Sequence, residues 1–294
     1  MKQACLLAIF LIGASSAAYA QTEEKKEEVK SWELKGVTGL NFSQTSLSNW
    51  SAGGENSYAG TAYLNGSLVH KRGQWVWTNV LALEYGLTNT KSLGTQKSTD
   101  KIDFSTQLGY TTNNTWYYSA MADFKSQFYK GYNYPNKDYY ISRFMAPAYS
   151  SLSVGIEYRP NDNYSAYLSP FAGRLTFVLD DTLSHAGAFG VKPGDKLKAE
   201  FGAYLKLKAQ KQLMENVNLI SKADFFTAYN SAFGNVDIEW DLLINMKINK
   251  FLSANINTTL KYDDDVKYIG ANNVPHGAKV QFKEVLGIGF SYNF

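Results

Sequence analysis

Residues 286–294 read LGIGFSYNF. Leu286, Ile288, Phe290, Tyr292 and Phe294 fall on one side of an extended chain. Gly287, Gly289, Ser291 and Asn293 fall on the other. A period of two marks a strand with one apolar face. Chain ends are usually polar and loosely held, so a closing segment this apolar is expected to complete a sheet, to be bound at its end, or both.

The same alternation recurs upstream. Trp32, Leu34, Gly36, Thr38, Leu40 and Phe42 share a face, as do Trp75, Trp77, Leu81, Leu83, Tyr85 and Leu87. Further runs cover 102–110, 116–128 and 152–158. In 196–210 Leu197, Phe201, Leu205 and Leu207 alternate with lysines, and in 236–248 Ile238, Trp240, Leu242 and Ile244 alternate with acids. With weaker segments at 57–71, 163–178, 215–229 and 251–262, the pattern predicts about twelve strands. The 163–178 segment fits least well, because Pro170 and Arg174 blur its period.

Connection lengths also alternate. Tight turns are expected at Arg72-Gly73, 112–114, 160–162, Lys211–Met214 and Asn249-Lys250. Long connections are expected at 43–56, 88–99, 130–148, 179–195, 230–235 and 263–279. A sheet trimmed at one end and elaborated at the other matches a transmembrane barrel with short periplasmic turns and longer outside loops. A soluble sandwich or lipocalin-like barrel also alternates. The membrane reading is favoured by segments long enough to span when tilted. Aromatic residues recur near strand ends, and the face opposite the apolar one carries too many ions to be a core. The predicted fold is therefore all-β: an antiparallel up-and-down barrel of about twelve strands, over 32–294.

The first residues read differently. MKQACLLAIFLIGASSAAYA (1–20) has one cation, a short apolar run and a small-residue end, the pattern of a cleaved signal peptide. Residues 21–31, QTEEKKEEVKS, read as a charged periplasmic tether. Both termini are then expected on the periplasmic side of a bacterial outer membrane. Cys5 is the only cysteine and lies in that signal, so no disulfide or cysteine metal site is expected. With 29 Lys and Arg against 26 Asp and Glu and no basic block, nucleic acid is not an expected partner.

If the apolar face meets lipid, the other face lines a lumen. The inward set contains lysines such as Lys101, Lys125, Lys206, Lys208 and Lys222, and acids such as Asp103, Asp123 and Glu157, nearly balanced in sign. Lys196, Lys198, Glu200, Asp224, Asp237, Glu239 and Asp241 gather on three consecutive segments, with Lys196 and Lys198 expected level with the acids. Such ions either close a narrow barrel as a salt-bridge web or line a narrow polar pathway.

Two resemblances add to this. LGIGFSYNF resembles the C-terminal aromatic signal of outer-membrane proteins, with Phe290, Tyr292 and Phe294 in its positions, and this implies handling by the barrel assembly machinery. GLNFSQTSLSNWSAGGENSYA, with Asn49, Trp50, Gly53 and Gly54, is similar to a Bacteroidota outer-membrane β-barrel family of unknown function, best over about 32–110. That similarity implies compartment and architecture and no catalytic residues.

The sequence thus points to an outer-membrane barrel that forms a narrow passage or binding tube for a small solute. The alternative is a closed barrel serving as a surface scaffold or recognition platform. A surface hydrolase is a third reading, resting on Asp180-Asp181 with His185 and on Asp263-Asp264-Asp265 with His276. No catalytic residue and no cofactor is assigned, so no enzymatic role is expected. Asp263, Asp264 and Asp265 are weak metal candidates. Membrane lipid and lipopolysaccharide are the expected surroundings.

Overall fold

The computed structural model describes residues 32–47, 55–230, 233–264, 267–269 and 275–294. The expected signal peptide and tether, the loop residues Asn49, Trp50, Gly53 and Gly54, and Asp265 lie outside the described residues.

The strands run β1 (Trp32–Thr45), β2 (Ser57–Arg72), β3 (Trp75–Thr90), β4 (Gly94–Thr111), β5 (Trp116–Ser126), β6 (Gly131–Tyr132), β7 (Tyr140–Ser142), β8 (Ala148–Asn161) and β9 (Tyr164–Phe177). A short helix α1 (Asp181–His185) and a 3₁₀ turn (Ala188–Gly190) follow. Then come β10 (Leu197–Met214), β11 (Val217–Ala228), β12 (Asp237–Lys247), β13 (Leu252–Tyr262), β14 (Lys267–Ile269), β15 (Pro275–Ala278) and β16 (Gln281–Asn293). Twelve of them close a ring in the order β1-β16-β13-β12-β11-β10-β9-β8-β5-β4-β3-β2, every neighbour antiparallel. The two remaining pairs, β6–β7 and β14–β15, are small hairpins within long connections.

The ring closes where β1 meets β16, from Val37–Asn293 to Phe42–Ile288. Gly36 and Phe294 extend this seam. The Gly36 amide donates to the Phe294 carbonyl at 2.8 Å and the Phe294 amide to the Gly36 carbonyl at 2.9 Å. The Phe294 ring occupies the space that a Cβ on Gly36 would need. A side chain there would have to displace the ring.

The outer face is apolar. Leu34, Leu40, Phe42, Leu152, Val154, Leu168, Phe171, Leu286, Ile288 and Phe290 are all exposed. Aromatic pairs ring both ends of the strands. At the short-turn end, Trp32 stacks on His70 (4.3 Å between ring centres), Trp75 meets Tyr110 and Trp116 meets Tyr158. At the other end Tyr85 meets Phe128, and Phe171 stacks on Phe201. Apolar residues outside and ions inside invert the order of a soluble barrel. This is a membrane-spanning wall.

Two expectations about connections are corrected. Lys211–Met214 is the end of β10, and the turn is Glu215-Asn216. The segment 88–99 is no long loop: β3 runs to Thr90 and β4 starts at Gly94. Its residues are polar because this hairpin rises past the end of β5, whose last pairing to β4 is Ser126 with Ile102. A strand beyond the apolar belt needs no lipid-facing apolar residues.

The blurred segment around Pro170 is β9 with a bulge. Val154 pairs with Phe171 and Ile156 with Leu168, so Ser169 and Pro170 together face Gly155. On the other side Gly202 pairs with Ala172 and Tyr204 with Ser169. Proline lacks an N–H and is tolerated where the ladder is already interrupted. Here the bulge shifts the phase. Leu168 points out before it and Phe171 after it, which brings Arg174 to the inside. Gly155 is required on the facing strand, since a Cβ there would lie 2.8 Å from the Ser169 Cα.

Candidate functional site

The inner face of β4, β5 and β9–β13 carries an ion network that spans the barrel. On β9, Arg174 donates to Glu200 of β10 at 2.8 Å and pairs with Asp237 of β12 at 2.6 Å. Lys198 also holds Glu200, at 3.0 Å. The Glu200 side chain is 3 % exposed, so these two cations offset the cost of burying its charge. Arg174 further lies over the Phe226 ring, 4.2 Å from its centre.

The next layer reaches across the ring. Lys125 on β5 donates to Glu239 on β12 at 2.7 Å and to Asp224 on β11 at 3.3 Å. Lys261 holds the other Glu239 oxygen at 2.8 Å. Lys101 on β4 reaches Asp241 on β12 at 3.3 Å, while the Thr259 hydroxyl donates to the second Asp241 oxygen at 2.6 Å. β4 and β12 stand six places apart in the ring of twelve. A side chain contact between diametrically opposed strands means that the cross-section is bridged at that level. Lys206 on β10 joins Asp123 of β5 at 3.3 Å and lies 4.0 Å from Asp224.

Beside this network the interior is filled by Met121, Tyr167, Ala172, Tyr204, Phe226 and Ala228. The Tyr167 hydroxyl donates to Ser153 Oγ at 3.0 Å. Toward the short turns, Arg159 grips Glu157 through both carboxylate oxygens and Gln107 donates to the same carboxylate at 2.9 Å.

The opposite wall is different. The inward positions of β16, β1 and β2 include Gly287, Gly289, Ser291, Gly39, Asn41, Thr61 and Tyr63. They are small or neutral. Among the described residues, Asn41 Oδ1, Tyr63 OH and the nearby Ser253 Oγ and Asn255 Nδ2 have no hydrogen-bond partner. The lumen is thus lopsided: a bulky wall dense in ions faces a slim one whose charges are the Glu33–Lys35 pair at the short-turn end of β1 and Lys283 on β16, which donates to Thr99 at 3.2 Å.

The structure gathers Lys198, Glu200, Asp224, Asp237, Glu239 and Asp241 on the inner face, in three neighbouring groups of ion pairs and with different partners from those expected. Lys196 is not part of it. It precedes β10 and pairs at 2.7 Å with Asp181, an exposed residue of α1. Lys198 is level with Thr176 and not with Asp224, whose partner across the ladder is Lys206. Arg174, Lys125 and Lys101 supply the cross-lumen cations. Periodicity placed Lys101 and Lys125 inside but gave no opposition across the ring. Arg174 was hidden by the phase shift at Pro170.

Among the described residues no hydrogen bond joins His185 to Asp180 or Asp181, and Asp181 pairs with Lys196. Asp180 caps α1, accepting from the Leu183 amide at 3.1 Å, from the Tyr140 hydroxyl at 2.9 Å and from Arg143 at 3.0 Å. Burial alone would raise its carboxyl, but these donors outweigh it and hold the pKa below the ordinary value. Asp264 accepts from Asn235 at 2.7 Å and from Tyr262 at 3.3 Å, and its amide donates to Asp237. Among the described residues no group of three ligating side chains could hold a metal ion.

Residues 42–132 match the family described as "Protein of unknown function (DUF3078)". The matched stretch contains the NWSAGG segment and most of the region that carries the family resemblance. No curated protein gives a significant match. Among solved structures, the barrel is similar to an outer membrane channel from Pseudomonas putida F1, at 10% identity and a TM-score of 0.41, covering 93% of this chain and 100% of that one. It is also similar to the NanC porin, at 10% identity and 0.36, covering 87% and 98%. The CymD monoaromatic hydrocarbon channel follows at 9% and 0.33, covering 89% and 87%. At such identities and superpositions no role is transferred from any of them.

Proposed function

We propose that this protein is a bacterial outer-membrane barrel that passes or holds a small polar solute along its slim wall. The cross-lumen ion network would narrow the pathway to that wall. The observation that carries this reading is the lopsided interior. Paired ions from β4, β5, β9, β10, β11 and β12 occupy one side, while small residues such as Gly39, Thr61, Gly287, Gly289 and Ser291 line the other. Rigid paired charges of both signs cancel their field, which favours little ion preference. The long connections would face the cell exterior and both termini the periplasm, with the seam strand β16 engaged by the barrel assembly machinery during insertion.

A second reading is a closed barrel used as a surface platform. The Lys101–Asp241 contact between opposed strands favours it. Conductance in planar bilayers separates the two. For the native barrel, the passage reading expects small but measurable conductance. Replacing Asp237, Glu239 and Asp241 with Asn, Gln and Asn frees Arg174, Lys125, Lys261 and Lys101 from those partners. Larger, anion-preferring conductance is then expected. No conductance from either protein would leave only the closed barrel, and porin-sized native currents would remove the ion constriction.

A further inference from the structure

We propose that Lys208 and Lys222 form an anion site inside the barrel, for a small solute bearing a carboxylate or phosphate. The two lysines sit directly opposite each other on β10 and β11. They alternate with Lys206 and Asp224, whose side chains meet in the lumen, so both point inward. Like charges at facing positions of an antiparallel pair are destabilising. Charges withdrawn from bulk water need a counter-charge.

Most of the surrounding carboxylates are already held by other cations. Asp241, the neighbour of Lys222 on β12, binds Lys101 and Thr259. Asp103 lies 3.5 Å from Lys101. Asp224 binds Lys125 and Lys206. Glu157, on the β8 side of Lys208, is gripped by Arg159, and Asp162 lies in the β8–β9 turn beyond it. Among the described residues neither Lys208 nor Lys222 forms an ion pair or hydrogen bond, and neither is among those with further contacts. The network therefore contains a matched part and, on its short-turn side, a doubled cation without a partner. An anion lying between the two ammonium groups would accept from both, in the manner of charge-assisted bonds. This goes beyond the passage reading, because a closed barrel has the same unbalanced pair.

The test uses the full chain folded in detergent, with inorganic phosphate and acetate as probes at constant ionic strength, read by thermal unfolding and calorimetry. Phosphate, acetate or both should raise the native Tm. Lys208→Gln and Lys222→Gln should each weaken that binding by about tenfold or more, the loss of one charge-assisted contact. Lys208→Glu should pair with Lys222, keep the barrel folded and abolish the response. A native protein that responds to neither probe, or a Lys208→Glu variant that responds like the native one, would overturn the site. Conductance plays no part in this readout, so a barrel that fails to conduct leaves it standing.

Discussion

Asp180 shows how an acidic residue that reads as chemistry in a sequence can serve as a cap. Its carboxylate accepts from Leu183, Tyr140 and Arg143. Asp180→Ala is expected to cost about 1–2 kcal/mol of local stability, seen as faster proteolysis within 178–196. Because its pKa lies below the ordinary 3.8, Asp180 contributes in full above that pH. The contribution is lost as pH falls from 3.8 through the lower folded-state value. Protection of 178–196 should weaken over that interval, and Asp180→Asn should remove the pH dependence. Arg174 is the matching case inside the lumen. Arg174→Met takes the cation from Asp237, leaving it the Asp264 amide, and removes one of the cations that hold Glu200, of which Lys198 remains. Breaking a buried pair costs around 3–5 kcal/mol, and the surviving Lys198 places this loss near the lower figure, measurable by denaturant unfolding. None of these partnerships was legible in the sequence. A period of two tells which way a side chain points and is silent on which residue meets it across a ring.

At the level of elements, legibility followed the solvent. Where strands cross lipid, one face must be apolar, and the alternation at 32–42, 75–87 and 286–294 located β1, β3 and β16. Where the β3–β4 hairpin leaves that belt, the pattern ends although the strands continue, and residues 88–99 read as a loop. Lys97 and Asp100 fasten this hairpin to the connection between β5 and β8. Asp100 accepts from the Phe128 and Tyr129 amides at 2.7 and 2.9 Å, and Lys97 bonds Asp100 and the Tyr129 carbonyl, each at 2.8 Å. Hydrogen bonds to a charged group are worth roughly 1.5–3 kcal/mol. Asp100→Ala is expected to release residues 127–147, with faster amide exchange there and none of that change at β12–β13. Pro170 teaches the complementary lesson: a proline that argues against a strand marked a place where the ladder was already broken.

For the whole molecule, topology is the first quantity to check. Peptide tags inserted near Asn136 should be accessible on intact cells, and tags at Gly73-Gln74 should not be. The reverse labelling would invert the barrel in its membrane. The number of strands and their antiparallel order were readable because each crossing repeats one rule, but the lopsided lumen was not, since it depends on which strands end up opposed. The seam between β1 and β16 has a kinetic consequence. Most other contacts in the wall join strands that follow one another closely along the chain, and such pairings form early because little sequence must be searched. Ring closure instead requires the first and last strands to find each other, after the sheet between them has grown. Until that step, Val37–Phe42 and Ile288–Asn293 present bare amides and carbonyls to a medium that offers none in return. The slowest event in making this barrel is therefore expected to be its single annealing of ends, and variants that weaken Gly36–Phe294 should lengthen the lifetime of an open, unannealed sheet without altering the rates at which its hairpins form.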